Sequence, residues 1–124
     1  MRQKSKRTVG SSGENYASMM LSKEGYSIMC RNYTCPEGEV DLIATKQDAI
    51  CFVEVKLRSI SSGDSAAGAV DSEKLSKIKK TMEYFLNEYK DNIYVNSLVP
   101  RIDVIEIYTG KSMVKKYCHI ENIG

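Results

Sequence analysis

The residues best placed to do chemistry are three charged side chains at strand spacing. Asp41 lies in GEVDLIAT, and Glu54 and Lys56 lie in FVEVK; both segments are otherwise rich in apolar and β-branched residues. Strand side chains alternate between faces, so Glu54 and Lys56 share one face while Val53 and Val55 take the other. The polar stretch from Lys46 to Ala49 reads as a hairpin turn. If that turn is symmetric about Gln47 and Asp48, Asp41 faces Glu54, Glu39 faces Lys56 and Ile43 faces Phe52. Directly opposed residues have Cβ atoms about 4.5 to 5.5 Å apart, close enough for two carboxylates to repel. An odd-length turn would send Asp41 and Glu54 to opposite faces.

A raised pKa or an intervening cation relieves such repulsion. Mg²⁺ or Mn²⁺ suits the second option, because these hard ions take carboxylate, backbone carbonyl and water oxygens. The Val55 carbonyl, between the two charged residues, could add an oxygen. An ammonium at Lys56 beside the ion can orient or acidify a water and neutralise charge building on a phosphate. Together these groups describe a phosphodiester-hydrolysing centre. A plainer alternative is cross-strand pairing on an exposed sheet face, worth a few tenths to about 1 kcal/mol.

The surrounding elements must position these groups. SSGENYASMMLSKEG reads as a helix over residues 12–24, with Ser11 and Glu14 at capping-box spacing and Gly25 as terminator. YSIMCRNY is a strand, and the breakers from Cys35 to Gly38 separate it from the hairpin. SISSGDSAAGAV, with Gly63 and Gly68, reads as a mobile loop. From Asp71 or Ser72, Leu75, Ile78, Met82, Phe85 and Tyr89 recur at helical spacing. RIDVIEIY is a strong strand and MVKKYCHI a weaker one. Hairpin-linked strands flanked by two helices imply an α/β fold, a mixed sheet covered on both faces.

With these residues located, the sequence resembles the YraN-type family of small bacterial proteins. That family is similar to archaeal Holliday junction resolvases and to the restriction-endonuclease-like PD-(D/E)xK nucleases. The match runs from about residue 10 to 108 through Gly13-Glu14, Gly25-Tyr26, Arg31-Asn32, GEVDLIA, FVEVKLR, Gly63, Lys74 and Arg101-Ile102-Asp103. Val40 stands where the broader nuclease motif has Pro. The resemblance implies an α-β-β-β-α-β core, Asp41 and Glu54 as metal ligands and Lys56 as the catalytic cation. It also implies that Glu14 completes the metal site with the Val55 carbonyl, although Glu14 is equally the capping partner of Ser11. Glu39 becomes a neighbour of Lys56 or of a bound water. The resolvase likeness further implies branched DNA as substrate and a homodimer, since two strands of a junction call for two sites related by a two-fold.

The bulk properties bound this reading. At 124 residues, 42% of them apolar, the chain fits one domain with its own core, residues 11–124, behind a flexible basic arm over residues 1–10. Four cysteines without a CxxC pair suit reduced thiols better than a zinc site. The net charge of +2 announces no polyanion by itself, but Lys74, Lys77, Lys79 and Lys80 crowd the second helix. Arg58, Lys74, Lys77 and Lys80 are therefore candidate phosphate contacts, the alternative being a solvated helix face. The chain lacks an apolar leader core and a membrane-length apolar run, which reads as cytoplasmic with no membrane partner. Arg101 and Asp103 read as a structural pair, and His119 as incidental. The expected function is a metal-dependent DNA endonuclease; the alternative is a non-catalytic nucleic-acid-binding module with the same fold.

Overall fold

Breaker-bounded apolar runs assemble a five-stranded sheet between helices in a computed structural model that describes residues 8–59, 70–111 and 113–124. The elements are α1 (Thr8–Lys23), β1 (Ser27–Cys35), β2 (Gly38–Lys46), β3 (Ala49–Ser59), α2 (Ser72–Glu88), α3 (Ile93–Asn96), β4 (Val99–Gly110) and β5 (Met113–Ile120). Strand order in the sheet follows chain order. β1, β2 and β3 form an antiparallel meander, β3 and β4 run parallel, and β5 returns antiparallel to β4. A parallel pair needs a crossover, and α2 with α3 provides it. The expected mixed sheet and α-β-β-β-α-β order are both present.

Each face of the sheet carries its own apolar layer. Ala17 and Leu21 of α1 pack with Leu42, Ala44, Cys51, Val53, Ile105 and Ile107 on one side. Phe85 of α2 packs with Val40, Ile43, Ile50, Phe52, Val95 and Leu98 on the other. Phe85 anchors that layer through its ring: edge contacts to Tyr33 and Phe52 and a stacked contact with Tyr89. Asp71 caps α2 by accepting a hydrogen bond from the Lys74 N–H at 2.8 Å. Gly38 lets α2 approach the start of β2, because a Cβ there would stand 3.2 Å from Thr81 Oγ1. Among the described residues, no helix is long and apolar enough to cross a membrane.

Three sequence expectations change. α1 begins at Thr8 rather than at residue 12, so Ser11 lies inside the helix and cannot be its N-cap. Of the residues expected to form the basic arm, 8–10 are helical, and 1–7 lie outside the described residues. The short helix α3, capped by Asn92 accepting from the Val95 N–H at 2.9 Å, was not anticipated, since one helical turn leaves no periodic signal. The loop expected after Arg58, with Gly63 and Gly68, also lies outside the described residues.

The Arg101–Asp103 pair forms and is larger than expected. Asp103 is fully buried. Its carboxylate receives Arg101 Nε at 3.0 Å and Nη2 at 2.9 Å, and the Asn122 N–H at 2.9 Å. His119 is not incidental: its Nε2 lies 2.7 Å from Asp103 Oδ2, and its Nδ1 lies 3.6 Å from Glu24. Arg101 also donates to the Tyr26 hydroxyl at 2.7 Å. Three parts of the chain, β4, β5 and the C-terminal residues, thus meet on one carboxylate, and the turn after α1 joins them through Tyr26 on Arg101 and Glu24 on His119.

Burial alone would raise the Asp103 pKa, but hydrogen bonds from His119, Arg101 and the Asn122 N–H prevail and hold it at about 2. The hydrogen bond to Asp103 raises the pKa of His119 against the opposing effect of burial. A raised histidine stabilises fully below its unfolded value of about 6.5, and that contribution is lost as pH rises through the folded value. Asp103 contributes above about pH 4 and loses its effect only as pH falls toward 2. Thermal melts should therefore show wild type more stable than His119→Gln at pH 5.5, with the gap narrowing as pH rises to 9.

Candidate active site

The hairpin between β2 and β3 has the expected even register, running from Lys46 opposite Ala49 to Leu42 opposite Val53, with Ile43 facing Phe52. There the ladder ends. Asp41 with Glu54 and Glu39 with Lys56 are not ladder partners, contrary to the extrapolated register. The Val55 N–H instead donates to Asp41 Oδ2 at 2.8 Å, a side-chain oxygen taking the place of a backbone acceptor. Alternation breaks at the same point: Val40 joins Ile43 in the α2-side layer, while Leu42 and Ala44 lie in the α1-side layer. β2 stays paired with β1 as far as Gly38, and β3 stays paired with β4 as far as Ser59. The sheet therefore splits at Asp41.

The other acids approach this split from neighbouring elements. Glu54, 6% exposed, places Oε2 3.4 Å from both Lys56 Nζ and Lys74 Nζ. Gly13 brings α1 close over β3, where a Cβ would lie 3.7 Å from Val55 and Leu57, and thereby sets the next residue, Glu14, against the sheet. Glu14 is also 6% exposed. Its closest cation is Arg31 at 3.8 Å, and its buried Oε1 has no hydrogen-bond partner among the described residues. With Ser11 inside the helix, Glu14 is released from the capping role. Glu39 is exposed and pairs with Thr34. Its expected contact with Lys56 is absent among the described residues; Lys56 turns to Glu54.

These charges act on Asp41. Burial pushes its carboxyl up to about 7, Glu54 adds to the rise, the Val55 N–H opposes it, and Glu14 and Glu39 add smaller increments. The donor set has the chemistry of a hard-cation site: a proton-retaining acid, a second acid neutralised by lysines, and a buried carboxylate oxygen with no hydrogen-bond partner among the described residues. Among the described residues, however, no three His, Cys, Asp or Glu side chains stand close enough together to hold a metal ion. To receive one, the acids would have to draw together and Glu54 to give up its lysine contacts.

The candidate phosphate contacts divide. Lys74 joins Glu54, and Arg58 lies two residues beyond Lys56 on the same strand face. Lys77 and Lys80 are exposed on α2, and Lys80 borders a shallow depression with Glu37, Glu83 and Tyr84, a mixed-charge setting. One residue of this face was missed from the sequence: Glu106 of β4, 1% exposed and in register with Lys56. The clue was a carboxylate within the alternating run RIDVIEIY, on the same face as Val104.

An acid whose pKa rises on folding costs stability once pH passes its unfolded value, so Asp41 destabilises the chain progressively between about pH 4 and 7. Asp41→Asn keeps an acceptor for the Val55 N–H and removes the charge. Its melting temperature should exceed that of wild type by roughly 5 °C or more at pH 8. At pH 4.5 scanning calorimetry should show the two nearly equal.

Comparison with known proteins places the sequence among relatives. The model of the family described as "Uncharacterised protein family UPF0102" matches residues 13–107. A UPF0102 protein of Caldanaerobacter subterraneus is 40% identical over 124 residues, covering 98% of each chain. One from Fervidobacterium nodosum is 41% identical over 115 residues, covering 90% of this chain and 77% of the relative. A third, from Caldicellulosiruptor saccharolyticus, is 39% identical over 103 residues, 83% of this chain and 84% of its own.

Proposed function

The chain belongs to the uncharacterised protein family UPF0102, and we propose that it is a divalent-metal-dependent endonuclease hydrolysing phosphodiester bonds in DNA, branched DNA included. The observation that carries this reading is the split at Asp41, where burial and the nearby Glu54 and Glu14 push one carboxyl up to about 7 while Lys56 pairs with Glu54. Strained acids next to a lysine, in a gap between strands, are what an ion-binding hydrolytic centre needs and what a surface of paired charges would avoid.

In this reading Asp41, Glu54, Glu14 and the Val55 carbonyl would hold Mg²⁺ or Mn²⁺, which would supply charge neutralisation and a more acidic water. Asp41 is braced by the Val55 N–H, so its free oxygen has a fixed direction. Lys56, released from Glu54, offers its ammonium to the attacking water or to a phosphate oxygen. Lys74 and Arg58 receive backbone phosphates, with Lys77 and Lys80 extending the positive face. A homodimer would present two such centres to the opposed strands of a junction.

A second reading has its own support. Glu54 already has two lysine partners, and the acids do not converge as a closed ligand set. A non-catalytic nucleic-acid-binding module could keep this arrangement as it stands. Incubation with linear, single-stranded, flapped and four-way DNA in Mg²⁺ or Mn²⁺ separates the two. The nuclease reading expects cutting that falls about a hundredfold or more in Asp41→Asn and in Lys56→Ala. It also expects Mn²⁺ binding heat that Asp41→Asn diminishes. If the wild type cuts nothing that these variants leave intact, the binding module takes its place.

A further inference from the structure

Glu106 occupies a position where the sheet calls for an apolar side chain. Ile102 and Val104 precede it on the same face of β4, both buried, and Glu106 is itself only 1% exposed. A carboxylate so placed is costly unless cations and hydrogen bonds compensate it. Two groups approach it. The Tyr108 hydroxyl donates to Oε1 at 3.2 Å, and Arg58 Nε lies 3.9 Å from Oε2. Both Arg58 Nε and Glu106 Oε2 are buried without a hydrogen bond among the described residues, so each is the other's main compensation.

The guanidinium is a planar fork with an inner edge at Nε and an outer edge at its two Nη nitrogens. Glu106 holds the inner side. The Nη nitrogens form the other edge, and Arg58 keeps about a fifth of its side chain exposed. Tyr108 in turn fixes the carboxylate from the other side. Arg58 shares its strand face with Glu54 and Lys56, so the outer edge lies on the face of the candidate site, one pleat repeat beyond Lys56.

We infer that Glu106 is a positioning residue: it fixes the Arg58 guanidinium so that its outer edge receives a backbone phosphate of DNA held at this face. The inference rests on the DNA-directed reading above and adds a residue to it. Its consequence runs against simple charge counting. Removing a negative charge normally strengthens binding to a polyanion, whereas here loss of the Glu106 carboxylate weakens it, because Arg58 loses its fixed direction.

The test is fluorescence anisotropy of a labelled four-way junction and a labelled duplex, with Ca²⁺ replacing Mg²⁺ so that binding is read without cutting. It compares wild type, Glu106→Gln, Arg58→Ala and the double variant over a salt series. The expected result is binding weakened about fivefold or more by Glu106→Gln, and a salt slope lowered by about one, as for loss of one phosphate contact. The double variant should bind no worse than Arg58→Ala alone. Glu106→Met, apolar and of similar length, gives the same comparison if the glutamine variant unfolds. Unchanged or tighter binding by a folded Glu106 variant, or additive losses in the double variant, overturns the positioning role and leaves the DNA reading standing. A wild type that binds neither DNA overturns both.

Discussion

The structure depends on one substitution of partners: the Val55 amide, released where β2 leaves β3, is taken by a carboxylate from the strand it has parted from. A buried peptide N–H left without an acceptor costs about 1 to 3 kcal/mol, so the strands can separate inside the protein only if something replaces the ladder. Asp41 does so with one of its two oxygens. The cost is then carried by the acid, whose charge is penalised by burial and by Glu54. A gap in a sheet and a perturbed carboxyl are thus one arrangement, and neither would persist without the other.

The two apolar layers hold the elements on either face of this gap. α1 lies across one face and α2 across the other, and both supply side chains that act at the split: Glu14 from the first and Lys74 from the second. Close packing fixes where these charges sit, through Gly13 over Val55 and Leu57 and through Gly38 beneath Thr81. The clasp around Asp103 lies on the α1-side face of β4, while Glu106 faces the α2 side. One strand therefore serves fold closure on one face and the candidate site on the other.

Much of this was legible in the residues alone. Period-two alternation and the polar turn gave the β2–β3 register, down to Ile43 opposite Phe52. Apolar spacing placed α2, and the order of elements followed from the breakers. What could not be read was where pairing stops, because a ladder ends through competition between a backbone acceptor and a side chain in three dimensions. Extrapolating the register past Leu42 therefore set Asp41 against Glu54 as strict partners, where they are close neighbours across a split. His119 and Glu106 were missed for a related reason. Each takes its meaning from a strand distant in sequence, His119 from Asp103 and Glu106 from Arg58, and local patterns carry no record of such meetings.

The direction of β4 has a consequence for how the chain assembles. Antiparallel β1, β2 and β3 connect through short turns, so Asp41, Glu54 and Lys56 lie on strands whose pairing within the meander is local. Ala49, by contrast, meets Val99, and Ser59 meets Thr109, only after the whole crossover has been placed. Loop-closure entropy is concentrated in that single pairing, which makes docking of β4 the step most sensitive to chain length and to changes in the crossover. The acid-bearing hairpin thus pairs locally, whereas the pairing of β4 adds the strand that buries β3 and brings Glu106 against Arg58.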